Sequence, residues 1–120
     1  MTAPPLPRWL TVCADPAPAV LDGRLCRTRA AFFEEVARVL RLPGYFGHNW
    51  DALSDCLRDA GAVGLVVEHA EDLLGAEAPG QFATLLAVFS DAAGSGLTVT
   101  LRTDRDQETA LRQRVTAALS

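Results

Sequence analysis

Lysine is absent: all eleven basic residues are arginine, set against fifteen acids, which leaves a net charge of −4 and an isoelectric point near 5.0. A nucleic-acid binder normally carries a basic field over its contact surface, so this balance argues against that class and leaves room for a basic partner. No run approaches the ~18 consecutive apolar residues of a membrane-spanning helix, and the opening stretch Met1–Arg8 lacks the apolar segment of a secretory leader. A soluble, cytoplasmic chain that contacts neither membrane nor nucleic acid is expected. The three cysteines (Cys13, Cys26 and Cys56) are an odd number without CxxC or Cys/His spacing. That argues against a disulfide framework or a zinc site and points to reduced thiols. The phosphate-loop, dinucleotide, serine-hydrolase and zinc-protease signatures are all missing. Nothing marks an enzyme, and neither metal nor cofactor is implied.

What is present fits one globular domain. The 120 residues are 49% apolar and 22% charged, close to globular averages, which rules out wholesale disorder. Five of the seven prolines fall in the first eighteen residues, which therefore read as extended or loop, with Trp9–Cys13 suited to a short edge strand. Ala19–Leu21 reads as a strand ended by the turn pair Asp22-Gly23. Thr28 is a natural N-cap for a helix to about Arg41, with Phe32, Phe33, Val36, Val39 and Leu40 on one stripe and Pro43-Gly44 as the stop. A second helix is expected from Asn49 to about Asp59, before Gly61. Leu65-Val66-Val67 has the continuous apolar run of a buried strand, and Glu71–Leu74 suits one helical turn. A third helix is expected from about Gln81 to Ala93, and Leu97–Leu101 alternates as a strand does. Strands separated by helices imply parallel pairing and an α/β layered domain. In the tail, Leu111, Val115 and Leu119 recur at i, i+4 and i+8, and Thr103 with Asp106 has the spacing of a capping box. That helix either packs on the core or offers its stripe to a partner.

The most informative stretch runs from Tyr45 to Leu57. Asn49 is a good N-cap and places Asp51 in the first turn, where the helix dipole favours a carboxylate. At ~100° per residue, Trp50, Leu53, Cys56, Leu57 and Ala60 gather on one arc and Asp51, Asp55 and Asp59 on the opposite one. The acids form either a plain solvated face or a binding surface. Stacked like charges disfavour the helix by a few tenths of a kcal/mol per pair, and Arg58 offsets only part of that. Phe46, Trp50 and Cys56 are expected in the core, while Tyr45 is open to either placement because its hydroxyl wants a polar neighbour. His69, amid Glu68, Glu71 and Asp72, reads as a solvated loop histidine. Between Tyr45 and Asp72 there are six acids against Arg58 alone, a local net charge of −5, while the other 92 residues carry nine acids and ten arginines. The acidity is concentrated in this one segment.

The run Leu42-Pro43-Gly44-Tyr45-Phe46-Gly47-His48-Asn49-Trp50-Asp51-Ala52-Leu53-Ser54-Asp55-Cys56-Leu57 closely resembles the barstar family. That family comprises the intracellular inhibitors of secreted bacterial guanyl-type ribonucleases. The likeness begins with Leu21-Asp22-Gly23 and continues through Leu65–Glu68, Val88–Ala92 and Leu97–Leu101, covering about residues 19–102. The resemblance implies a barstar-like α/β fold, a small three-stranded parallel sheet covered by helices. It divides the chain into a Pro-rich segment at 1–18, the domain at 19–102 and a helical extension at 103–120 packed on the same domain.

It also implies a function: a monomer forming a one-to-one complex with a small secreted ribonuclease, whose active site the second helix and the preceding loop would plug. Asp55 matches the family's principal acid, Asp51 a second acid one turn earlier, and Tyr45 an aromatic that packs on the enzyme's catalytic histidine. Asp91 matches a peripheral glutamate one carbon longer, and backbone around Gly47 and Asn49 would border the interface. Ser54 stands between the two acids where the family has tryptophan, Trp50 where it has leucine, and His48 where it has glutamate. These departures imply a partner related to barnase but not identical to it. The rival reading is an interaction module of the same fold whose acidic face binds a different basic protein.

Overall fold

Short-range capping signals set the helix boundaries in the computed structural model, which describes residues 6–7, 9–12 and 19–119. Thr28 accepts a hydrogen bond from the Ala31 N–H at 3.2 Å and starts α1 (Arg29–Val39), which buries Phe32, Phe33 and Val36. Asn49 does the same for α2 (Trp50–Ala60), and Gly61, with φ of 71°, ends it. α3 (Pro79–Ala93) begins two residues before the expected Gln81, because proline suits the first helical turn, where its missing N–H has no partner to lose. α4 (Glu108–Leu119) follows a 3-10 turn at Arg105–Gln107. The expected capping box is not made: the Thr103 hydroxyl donates to the Glu71 carboxylate instead, and Asp104 caps nothing with its side chain.

Four strands form one parallel sheet: β1 (Leu10–Val12), β2 (Val20–Asp22), β3 (Gly64–Glu68) and β4 (Thr98–Leu101), in the order β1-β4-β3-β2. The three strands that the resemblance implies are the β2, β3 and β4 ladder, and the proline-rich start adds a fourth at the edge. Leu10 pairs with Val99, and the Val99 N–H donates to the Trp9 carbonyl at 2.9 Å. The other prolines at residues 4, 5, 16 and 18, together with Cys13, lie outside the described residues.

Alternation decides which strand residues meet the helices. Leu21, Leu65, Val67, Val99 and Leu101 join Phe32, Phe33, Phe82, Leu85, Leu86 and Phe89 in one core, all 2% exposed or less. Val66 is 3% exposed but sits on the other face, in register with Val20 and Thr100, so the apolar run in β3 spans both faces of the sheet. α4 closes the layer through Leu111 and Val115, while Leu119, last of its stripe, is 36% exposed. The Arg114 guanidinium lies 3.8 Å from the centroid of the Phe82 ring, and burial lowers its pKa.

Behind the strand ends, Gly23 packs so close to the next crossover that a Cβ there would stand 2.2 Å from the His69 carbonyl oxygen. His69 is half-buried rather than a solvated loop residue, with Nδ1 3.8 Å from Glu71 and a left-handed φ of 50°. Cys26 and Cys56 are free, buried thiols, and burial pushes Cys26 up to about 12. Among the described residues no helix is long and apolar enough to cross a membrane, and no group of three or more acids, histidines and cysteines is arranged to hold a metal.

Candidate functional site

The loop before α2 is built inward from its aromatics. Phe46 is 8% exposed and meets Phe33 edge-on at 6.0 Å and His48 at 5.0 Å, which anchors the turn closed by the Phe46 N–H to the Pro43 carbonyl. With Phe46 turned in, its neighbour Tyr45 is turned out and is 83% exposed, which settles the placement its sequence left open. Gly47 then lies against the cap: a Cβ there would be 3.0 Å from Asn49 Nδ2, the atom that donates to the Gly47 carbonyl at 3.1 Å. His48 takes up a left-handed φ of 51°. Asn49 thus works with both ends of its amide, since Oδ1 also accepts from the Ala52 N–H at 2.8 Å. Replacing Asn49 with Ala is expected to lower stability by about 1 kcal/mol, read as a shift in the urea midpoint at unchanged slope.

The second helix presents two unlike faces. Leu53, Cys56 and Leu57 are buried; Ala60, which its angle places on the same arc, is exposed at the helix end. Trp50 is half core and half surface. Its ring meets Phe33 edge-on at 4.8 Å and Phe32 at 5.8 Å, and its indole N–H donates to Gln81 Oε1 on α3 at 3.2 Å. Opposite, Asp51, Asp55 and Asp59 are all exposed. No side-chain hydrogen bond or ion pair engages Asp51 or Asp59 among the described residues. Asp55 accepts from Arg58 Nη2 at 2.6 Å, with side chains 70% and 51% exposed respectively. Burial, followed by the charges of Asp59 and Asp55, raises the Cys56 thiol.

α3 supplies the other wall. Ser54 Oγ lies 3.5 Å from Asp91 Oδ2, at the outer limit of a hydrogen bond. Between the helices runs an open groove of ≈ 500 Å³, lined by Trp50, Ser54, Ala87 and Val88, with Asp51 and Asp91 among its polar residues. The structure therefore gathers Asp51, Ser54 and Asp91 around one groove, with Asp55 farther along the same helix. Tyr45, Gly47 and Asn49 belong to the loop at the start of that helix, and Tyr45 makes no hydrogen bond or ring contact among the described residues.

The sequence marks Gln81 as a helix start and Val88 as part of the family likeness, but the relation of Gln81, Ala87 and Val88 to α2 exists only once the two helices pack. Chemically the surface is an anion display: carboxylates carried on a helix beside an exposed phenol. His48 packs on Phe46, and among the described residues no hydrogen bond joins it to Asp51 or Asp55.

No curated protein sequence matches the chain. The Barstar (barnase inhibitor) family model does match, over residues 17–115, which takes in the loop, both walls of the groove and most of α4. The chain belongs to the barstar family.

Proposed function

We propose that the protein is a stoichiometric inhibitor of a small secreted bacterial ribonuclease, held in the cytoplasm of the producing cell. The observation that carries this reading is the row of exposed carboxylates on α2 beside a loop that presents Tyr45 outward. An enzyme that cleaves an anionic backbone needs a cationic cleft, and carboxylates fixed on a helix answer it as phosphate mimics. Asp55 enters deepest among the enzyme's cations, Asp51 supports it one turn earlier, and Tyr45 covers the catalytic histidine. Gly47, Asn49 and Ser54 shape the contact surface, and Asp91 reaches the rim from α3. Inhibition is then occlusion by a monomer, one copy per enzyme, with no covalent step.

The direct test is titration of the purified chain into assays of several guanyl-specific ribonucleases. A sharp one-to-one endpoint is expected, with an association rate that falls steeply between low and physiological salt as the steering field is screened. Failure to inhibit any of them would remove the reading. Recovery instead of a different basic protein would favour an interaction module of the same fold.

A further inference from the structure

We propose that Arg58 is a specificity-determining residue of this interface. It favours a nuclease that offers an acceptor to the guanidinium as well as cations to Asp55. The inference rests on the inhibitor reading above and names which partners the same surface accepts.

Arg58 is the only arginine between Tyr45 and Asp72, in a segment that otherwise carries six acids. It stands in the last turn of α2, one turn beyond the acid placed deepest in the nuclease, and its Nη2 is 2.6 Å from Asp55 Oδ1. Both groups are well exposed, so in the free protein water readily takes the place of either one. Docking changes the surroundings. Water leaves, the local dielectric falls, and Asp55 turns to the enzyme's cations. Arg58 then loses its carboxylate while lying beside a positive cleft. A guanidinium stranded against like charge in a dry contact is strongly unfavourable, whereas one that meets a carboxylate or carbonyl on the partner gains a charge-assisted bond. A partner with cations alone is therefore penalised, and a partner with an acceptor at that place is favoured. Discrimination of this kind comes from a repulsive element as much as from an attractive one.

The test compares wild type, R58Q, R58K and D55A against the same panel of guanyl-specific ribonucleases by inhibition constant. R58Q is expected to tighten the weakly inhibited members by about ten-fold or more while leaving the tightest unchanged or weaker, so the spread across the panel narrows. R58K retains the positive charge and is expected to keep a spread near that of wild type. A uniform shift of every member by R58Q, or no shift, would overturn the proposal. So would R58K narrowing the spread as R58Q does, since loss of the pair geometry and not of charge would then be responsible. Should wild type inhibit no member, the inhibitor reading itself falls and takes this inference with it. Should D55A inhibit as wild type does, inhibition stands but the placement of Asp55 among the enzyme's cations falls, and the role of Arg58 falls with it. Loss of inhibition by D55A together with a uniform R58Q shift defeats the role of Arg58 alone.

Discussion

Replacing Asp55 with Ala is expected to weaken ribonuclease inhibition by about 2–5 kcal/mol, the loss typical of truncating one partner of a hydrogen-bonded charge pair that docking buries. Most of that loss reflects the enzyme's cations left desolvated and unanswered, so it should appear in the dissociation rate. The fold should not register the change. Asp55 is 70% exposed, and its bond to Arg58 joins two solvated groups. Exposed substitutions of this kind usually stay within about 0.5 kcal/mol of neutral. Thermal unfolding of the variant should therefore overlay that of the parent while the titration endpoint blurs or disappears. An undiminished endpoint would show that the acids of α2 are only a solvated face. Asp51→Ala, next to a groove it shares with Asp91, provides the comparison: a smaller loss there would rank Asp55 above it.

Replacing Phe33 with Ala is expected to cost about 3–5 kcal/mol of folding stability, as for other buried aromatics cut to a methyl. Phe33 is 2% exposed, and its ring lies 5.7 Å from Phe32, 6.0 Å from Phe46 and 4.8 Å from Trp50. Two of these neighbours, Phe46 and Trp50, flank Gly47 and Asn49, and Phe46 adjoins Tyr45. Removing the ring therefore opens a cavity beneath the site as well as in the core. The expected result is a large drop in urea midpoint. Under conditions where the variant is still folded, weaker inhibition should follow, because a loosened Phe46 no longer holds Tyr45 outward. Phe33→Leu, which refills part of the volume, should recover much of the stability. A loss below about 1 kcal/mol for the alanine variant would show that the site collapses onto the gap instead of depending on the ring.

Stretches whose structure depends on a few neighbouring residues were legible in the sequence. Thr28 and Asn49 start their helices where their side chains can cap, and Gly61 ends the second helix, because each such interaction closes within about one helical turn. The alternating strand at Thr98–Leu101 and the row of acids at 51, 55 and 59 follow from the same short periodicities. The motif between Leu42 and Leu57 added the family likeness on its own.

Contacts across the chain were decided only by packing. The Thr103 hydroxyl turned from its own helix to Glu71, thirty-two residues away, where the end of β4 passes the turn after β3. Trp50 came to rest half outside the core because Gln81, on another helix, offered its indole an acceptor. Angular position alone put Ala60 with the buried residues, yet among the described residues the end of α2 is left exposed there. The acidic surplus belonged to the sequence from the start, since charge is a property of composition. Tertiary structure decided its form: exposed carboxylates on one helix, one of them engaged by Arg58, beside a groove completed by α3. A side chain's exposure and its distant partners depend on which elements pack against it, and neither can be counted along the chain.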